Sequence, residues 1–136
     1  MCEEKDIERP IYITDPPCVN ELSDTAKVSG HPDFTRDSIF HALNSKAVAY
    51  RVAEELGKKY QDCKFIVAHM GGGISVGAHN LGRVTEVNDC ISGGGPFSPN
   101  RTGTLPVVAL VEYCFSGRYT ESQVIRMIKN EGGLLA

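Results

Sequence analysis

A mixed α/β fold is predicted by a change in the spacing of apolar residues along the chain. From 36 to 56 the apolar residues recur every three to four positions, as on one face of a helix. From 65 to 87 they form a short continuous run and then alternate, which is typical of β-strands. Helical spacing returns at 105–115 and again at 120–130. Helices and strands that follow one another in this way indicate layers of both element types around a shared core.

The N-terminal part of the chain is expected to contain one strand and a helical region. Ile11-Tyr12-Ile13 predicts a short strand from Pro10 to Thr14, which Asp15-Pro16-Pro17 ends. The helical region begins at Arg36. Asn44-Ser45 is a possible break in it, with Ser45 as the N-cap of a second helix.

The alternating region predicts an antiparallel meander of three strands, over 65–70, 74–79 and 83–87. The first run is mainly apolar, so it predicts a buried strand. Gly71-Gly72-Gly73 forms the first turn. Asn80-Leu81-Gly82 forms the second, with glycine where a positive φ is favoured.

A long loop, 88–104, separates the meander from the C-terminal helices. Loops of this length are uncommon in compact domains and are often functional. Two helix-start motifs follow: Thr104 as an N-cap with Pro106 in the first turn, and the capping box Thr120-x-x-Gln123.

Composition excludes several classes of function. The 136 residues include 14 Lys and Arg and 17 Asp and Glu, for a formal net charge of -3. A sequence-independent nucleic-acid binder needs a basic surface, so we expect no nucleic-acid partner. No apolar stretch approaches the roughly 20 residues that cross a bilayer, and Met1–Asp6 lacks the apolar core of a signal peptide. We therefore expect a cytoplasmic protein without a membrane partner.

The cysteines and histidines show no metal-binding or disulfide pattern. Five cysteines, at 2, 18, 63, 90 and 114, are odd in number and widely spaced, without Cys-x-x-Cys. We expect them to be buried or half-buried thiols. The histidines, at 31, 41, 69 and 79, lack the spacing of a zinc site, so no metal-ligating residue is predicted.

The three consecutive glycines at 71–73 are the first candidate for binding chemistry. Glycine lets the backbone approach a phosphate closely and aim its N–H groups at it. A dinucleotide-binding fingerprint would need a helix after the glycines, and a P-loop would need Gly-Lys-Ser/Thr, so neither motif matches. A tight hairpin turn without a ligand is the alternative.

Four other residues have both a structural and a functional interpretation. Arg101 stands alone in an uncharged Gly/Pro/Ser stretch, where it either binds an anion or is solvated. His69 ends the strand before the glycines and His41 lies in an apolar helical turn, so each is either a core histidine or a site residue. Asp15 either caps a turn or is an active-site carboxylate.

Three segments together resemble one family of enzymes. His69-Met70-Gly71-Gly72-Gly73-Ile74-Ser75-Val76-Gly77 resembles the phosphate-binding hairpin of the acetate and butyrate kinase family, within the actin-like ATPase superfamily. Ser38–Ala47 and Gly95–Gly103 resemble its butyrate kinase branch in particular. Acetate kinases usually carry asparagine at the position of Gly72, which also favours that branch. The resemblance extends from Pro10 to Gly133 with the segments in the right order.

The resemblance implies transfer of a phosphoryl group from ATP to the carboxylate of a short-chain fatty acid, with Mg²⁺ as cofactor. Arg101 would bind the acceptor carboxylate or the transferring phosphoryl, while His41 and His69 would donate hydrogen bonds to phosphoryl oxygens. Asp15 would help orient the magnesium ion and its water. The nucleotide phosphates would be bound by Gly71, Gly72, Gly73 and Ser75.

The resemblance also implies a ribonuclease H-like, actin-like ATPase fold. Residues 1–62 would form the end of the first domain and the interdomain helices, and 63–136 the start of the second domain. Family members are much longer, so we expect an internal fragment without the second active-site arginine, the adenosine-binding segment and the magnesium glutamate. The full-length form is expected to be a homo-oligomer.

Two alternatives to a butyrate-type kinase remain open. One is a kinase of the same family that acts on acetate, propionate or branched-chain acids, because a methylene is worth only ~1–3 kcal/mol of specificity. The other is a non-catalytic nucleotide-binding module that retained the hairpin.

Overall fold

The computed structural model describes residues 10–136, so Met1–Asp6 and Cys2 lie outside the described part. The helices are α1 (Asp24–Lys27), α2 (Ala42–Glu55), α3 (Val107–Cys114) and α4 (Glu121–Asn130). The strands are β1 (Lys64–Met70), β2 (Ile74–Asn80) and β3 (Arg83–Val87). Short 3₁₀ turns lie at Tyr60–Asp62 and Gly133–Leu135. No helix within residues 10–136 is both long and apolar enough to span a bilayer.

The three strands form an antiparallel sheet in the order β1-β2-β3, which confirms the predicted meander. In its register His69 lies opposite Ser75 and Met70 opposite Ile74, so the glycines make the turn between β1 and β2. The second turn has φ of 49° at Leu81 and 88° at Gly82. Positive φ at both central residues matches the twist of the strands that a two-residue turn joins.

Two apolar clusters attach α2 and the segment before it to the sheet. One joins Leu22, Ala26, Phe40 and Ala42 to Val84 and Val87 of β3. The other joins Ala49, Ala53, Tyr60 and Cys63, with Phe65 and Val67 of β1 packed against it. Because both clusters anchor α2, the N-terminal end of this helix is fixed beside the turn between β1 and β2.

The predicted strand at 11–13 is wrong. Within residues 10–136 this segment pairs with no other strand, and Ile11, Tyr12 and Ile13 are 77%, 81% and 86% exposed. The two prolines leave it extended, but a strand is stabilised by hydrogen bonds to a neighbouring strand, and the sheet starts only at Lys64.

The predicted helix start at Arg36 and the break at Asn44-Ser45 are also wrong. The helix begins at Ala42 with His41 at its N-cap, and it continues without a break past the buried Ser45. The residues just before the helix instead bond to the segment 17–19. Phe40 N–H donates to the Pro17 carbonyl, and Ser38 Oγ donates to the Val19 carbonyl. Helix α1, capped by the side chain of Ser23, had not been predicted.

Three smaller predictions need correction. Strand β1 is half-exposed rather than buried, with Ile66 74% and Met70 79% exposed. Helix α3 begins at Val107 with Pro106 rather than Thr104 at its N-cap. The Thr104 hydroxyl instead accepts the Gly95 N–H. Leu105 precedes Pro106, and because a residue before proline disfavours helical backbone angles, the helix starts after the proline. The capping box at Thr120 and Gln123 of α4 is confirmed.

The described cysteines are free thiols, as Cys18, Cys63, Cys90 and Cys114 make no disulfide. Cys63 and Cys90 are buried as predicted, whereas Cys18 and Cys114 are exposed.

Candidate functional site

A pair of stacked histidines lies where the N-terminal end of α2 meets the turn between β1 and β2. The rings of His41 and His69 have centroids 3.7 Å apart and planes 8° apart. His41 reaches this position as the N-cap of α2, and His69 as the next-to-last residue of β1. Two residues 28 positions apart in the sequence are thus brought face to face by the packing of the helix on the sheet.

Each histidine is oriented by a hydrogen bond at its Nδ1 atom. The His41 Nδ1 lies 3.0 Å from the hydroxyl of Ser75, which is only 1% exposed. The His69 Nδ1 lies 2.9 Å from Asn44 Oδ1. An amide oxygen only accepts, so His69 donates here, and in its neutral form its Nε2 carries no proton. His69 can therefore donate from Nε2 only as an imidazolium.

Arg101 is held against the glycine turn by the long loop. Its Nη1 donates to the Cys90 carbonyl at 2.9 Å, and its backbone N–H donates to Ser98 Oγ at 3.2 Å. The hydroxyl of Ser98, a residue that is 2% exposed, donates to the Gly72 carbonyl at 2.8 Å. The loop and the turn are thus tied together by a buried serine.

Gly73 is the point where these side chains converge. A Cβ built on Gly73 would overlap Arg101 Nη1 and lie 3.2 Å from His41 Cε1. Glycine here lets a guanidinium and an imidazole approach the same stretch of backbone. The predicted residues Arg101, His41, His69 and Gly73 therefore form one cluster in the structure.

The tip of the glycine turn is open. Gly71 N–H donates to the Gly73 carbonyl at 3.1 Å, whereas a Cβ on Gly72 would meet nothing within 4 Å. A Cβ on Gly71 would lie 3.3 Å from His69 Nε2. The turn therefore combines an open tip with the edge of the histidine pair.

Asp15 lines a groove together with both histidines, which we call the histidine groove. The groove has a volume of about 490 Å³ and is lined by Thr14, Asp15, Pro16, Pro17, His41, Ala42, Leu43, Asn44, Ala47 and His69. Its lining is mainly apolar and includes Asp15 together with both histidines. Arg101 and the glycines are not among its lining residues.

The electrostatics of the cluster favour a neutral His41. Burial lowers the pKa of His41, and the nearby His69 and Arg101 lower it further. If Ser75 donates to Nδ1, the neutral ring presents an N–H at Nε2. Burial raises the pKa of the neighbouring Cys90 thiol, so this cysteine stays protonated and is a poor nucleophile.

The Ser75 hydroxyl is buried against His41 Nδ1 and does not lie at the open tip of the turn. Ser75 would therefore act on the phosphates by orienting His41 rather than by contacting them.

Three residues at the site had not been singled out from the sequence. Asn44 orients His69, Ser98 ties the loop to the glycine turn, and Lys46 contacts Asp15 at 3.1 Å. Asn44 and Lys46 had one available clue, since they lie within about one turn of His41 on the same helix. Ser98 had none, because a serine in a loop is usually solvated.

The part of the chain from 10 to 136 contains no group of three or more His, Cys, Asp or Glu side chains that could hold a metal ion. Magnesium in nucleotide sites is commonly held by one or two carboxylates together with phosphate oxygens and water. Asp15 fits the place of one such carboxylate, although it also pairs with Lys46.

Comparison with curated proteins gives close relatives over almost the whole chain. Butyrate kinase 1 of Clostridium acetobutylicum is 53% identical over 132 residues, which are 97% of this chain and 37% of that protein. A probable butyrate kinase of Phocaeicola vulgatus is 54% identical over 127 residues, 93% of this chain and 36% of that protein. The chain thus spans little more than a third of these relatives. No family model matches the chain.

Solved structures agree on the fold. An acetate kinase from Porphyromonas gingivalis matches with a TM-score of 0.74 and 21% identity, over 84% of this chain and 30% of that one. A propionate kinase from Francisella tularensis matches with a TM-score of 0.66 and 20% identity, over 90% of this chain and 31% of that one. The chain therefore has the fold of a segment of acetate kinases, which is the predicted actin-like ATPase fold. The predicted resemblance is confirmed: over nearly its whole length, this chain is similar to butyrate kinases.

Proposed function

We propose that this chain is a segment of a kinase that transfers the γ-phosphoryl group of ATP to the carboxylate of a short-chain fatty acid of the butyrate type. The products would be an acyl phosphate and ADP. The identity of 53–54% with butyrate kinases supports the reaction class. Because the chain spans about 37% of the first of these relatives, the activity is proposed for the longer protein.

The observation that carries the proposal is the convergence of Arg101, His41 and His69 at the glycine turn. Phosphoryl transfer needs precise positioning and positive charge around the transferring group rather than covalent chemistry by the protein. A guanidinium beside Gly73, two imidazoles and a turn with an open tip supply these features. If Arg101 were solvated and the two histidines were only core residues, we would not expect all three side chains to contact the same turn.

In the proposed reaction a carboxylate oxygen attacks the γ-phosphorus, and the bond between that phosphorus and the bridging oxygen breaks. The electron pair of that bond leaves with ADP. A carboxylate is already deprotonated near pH 7, so no general base is needed. This agrees with a cluster of hydrogen-bond donors, in which His41 is neutral and the Cys90 thiol is protonated.

The roles we propose are those that the resemblance implies, and the geometry of each donor supports them. Arg101 binds the acceptor carboxylate or the transferring phosphoryl. His41 donates as a neutral imidazole held by Ser75, while His69 is held by Asn44 and donates to the phosphoryl oxygens beside it.

Gly72 and Gly73 would present backbone N–H groups to the nucleotide phosphates, whereas the Gly71 N–H is donated to the Gly73 carbonyl and shapes the turn. Mg²⁺ would neutralise part of the phosphate charge when bound, and Asp15 is the carboxylate that would help orient it and its water.

Further features of the proposal concern the whole protein. We propose that residues 1–62 and 63–136 belong to the end of one actin-like domain and the start of the next. Both apolar clusters join residues from the two sides of this boundary. We also propose that the whole protein is a cytoplasmic homo-oligomer and that its partners are a short-chain fatty acid and ATP or ADP.

Trapping of the product tests the proposed activity directly. The full-length protein that carries this chain is incubated with ATP, Mg²⁺ and butyrate in the presence of hydroxylamine, which converts an acyl phosphate to a hydroxamate. We expect hydroxamate and ADP in a ratio of one to one, with kcat/KM higher for butyrate than for acetate, propionate or branched-chain acids. Higher kcat/KM for another acid would correct the substrate, and no hydroxamate from any acid would refute the proposal.

A further inference from the structure

A buried lysine lies next to the candidate site. The side chain of Lys46 is 10% exposed, and lysines are almost never buried unless paired. Its Nζ lies 3.1 Å from Asp15 Oδ1 and 2.9 Å from Glu21 Oε1. Lys46 thus forms an ion triad with two carboxylates that are each about one-fifth exposed, at 21% and 23%.

The far side of the triad is anchored to the sheet. The Oε2 atom of Glu21 accepts the backbone N–H of Val84 in β3 at 2.8 Å. Burial alone would raise the pKa of Glu21, but the Val84 N–H and the Lys46 ammonium outweigh it and lower that pKa. Burial alone would lower the pKa of Lys46, but the carboxylates of Glu21 and Asp15 outweigh burial and raise that pKa. Glu21 and Lys46 therefore both stay charged near neutral pH.

The near side of the triad holds Asp15 in an unusual backbone conformation. Its φ is 43°, in the left-handed region that residues other than glycine rarely adopt. Such a conformation persists only where the surrounding structure determines it. Among the described residues, the Lys46 ammonium is the charged partner of the Asp15 carboxylate, so it holds this side chain in place at the turn.

Lys46 also belongs to the helical turns that carry the histidine contacts. His41 is the N-cap of α2, and Asn44, three residues on, binds His69. Two residues after Asn44, Lys46 binds Asp15. One stretch of helix therefore determines how far the carboxylate of the histidine groove lies from both imidazoles.

Stability alone does not explain the charge. Taking an ammonium out of water is costly, and replacing buried ion pairs by apolar side chains of similar size is often neutral or stabilising. We propose that Lys46 is a positioning residue, which holds the Asp15 carboxylate at the histidine groove for phosphoryl transfer. This inference rests on the proposed function of Asp15.

A double-mutant cycle in the full-length protein tests the inference. The variants are Lys46→Met, Asp15→Asn and the combination of both, with kcat and the KM for ATP measured by hydroxamate trapping. We expect Lys46→Met to lower kcat by about tenfold or more at an unchanged KM for ATP. In the Asp15→Asn background it should lower kcat by less than about twofold, because the group it positions is already gone.

Two further variants separate positioning from folding. Lys58→Met is the matched control, because it removes an exposed lysine beyond the end of α2, and we expect its kcat to stay within about threefold of the wild type. Lys46→Gln replaces Lys46→Met in the cycle if the latter does not fold, and the same coupling is expected. Thermal unfolding of each variant identifies those that fold.

The outcomes distinguish this inference from the proposed function. Additive losses for Lys46 and Asp15 in an active enzyme would overturn the positioning role alone, as would full activity of Lys46→Met. No acyl phosphate from the wild-type protein would overturn the proposed function, and this inference with it.

Discussion

Two regions of this chain differ in how completely they are packed. At the N-terminal end of α2, polar side chains find partners within the chain, and Ser75 and Ser98 are 1% and 2% exposed. Helix α3 has no buried residue, although its sequence is VVALVEYC. Val107 and Val108 are 72% and 73% exposed there. A polar cluster is thus buried while an apolar helix faces outward.

The difference shows which parts of the structure depend on contacts within the chain. The histidine pair, Arg101 and the glycine turn are held by hydrogen bonds between described residues. An apolar helix such as α3 is suited to burial on all sides, and so is the outer face of β1, with Ile66 and Met70. We therefore expect the site to keep its local geometry, and the apolar faces to be covered by further protein.

The largest expected effect comes from separating this chain from the rest of the protein. Domains of a kinase close around the substrates, so each supplies part of the site. We predict no measurable acyl phosphate from ATP and butyrate with the 136-residue chain alone, and an ATP affinity no better than roughly millimolar, about -4 kcal/mol. Hydroxamate trapping and calorimetric titration with ATP are the measurements.

The same sample tests the apolar faces. Exposed apolar patches and unpaired strand edges favour association. We expect light scattering to show self-association of the isolated chain. Robust turnover by a monomeric chain would contradict both parts of this prediction, because it would mean that the site is complete and the faces need no cover.

A pair of glycine substitutions tests the convergence at the turn. Gly73→Ala puts a methyl group where Arg101 Nη1 lies, so we expect kcat/KM to fall by about 100-fold. Gly72→Ala meets nothing within 4 Å, and its loss should be at least about tenfold smaller. Equal losses for the two variants would show that the turn needs flexibility rather than space for the guanidinium.

Substitution of the stacked histidines separates chemistry from packing. If His41 and His69 stabilise charge that develops on the phosphoryl group, each alanine variant should lower kcat by about 10- to 100-fold. The KM for the fatty acid should rise less than kcat falls. Steady-state kinetics and thermal unfolding are measured together. Lower thermal stability with kcat intact would identify core histidines instead.

The pH dependence of stability gives the smallest expected effect. Burial lowers the pKa of His79 from its ordinary value of 6.5, and the pKa of His41 is lowered for the same first reason. Below about pH 6.5 the unfolded state therefore binds more protons than the folded state. The free energy of unfolding should fall as the pH drops through this range. Urea unfolding between pH 7 and 5 measures it, and His79→Gln should reduce the slope. Constant stability over that range would contradict the prediction.

The parts of the fold that were predicted are those with local causes. Alternation and turn glycines gave the meander, and Thr120 with Gln123 gave the start of α4. The start of α2 was not predictable in this way, because the Phe40 N–H donates to the carbonyl of Pro17, a residue distant in the sequence, and not to a carbonyl within a helix. The strand at 11–13 failed for a related reason: a strand depends on a partner that its own residues do not specify.

The same division applies to the candidate site. His41, His69 and Arg101 were identified by residue type and motif, and they do converge. Asn44 and Ser98 were missed because their partners lie 25 and 26 positions away in the sequence. Contacts over such distances depend on how α2 and the loop pack on the sheet.

Arg101 is the side chain proposed to act on the reacting groups at the end of α2, and its substitution tests this role most directly. In the full-length protein we predict that Arg101→Ala lowers kcat/KM for butyrate by at least about 100-fold without unfolding it. Arg51→Ala is the matched control, because the Arg51 side chain is 81% exposed and, among residues 10–136, forms its ion pair with Glu55 of the same helix. Its kcat/KM should stay within about threefold of the wild type. An Arg101→Ala variant as active as this control would contradict the account.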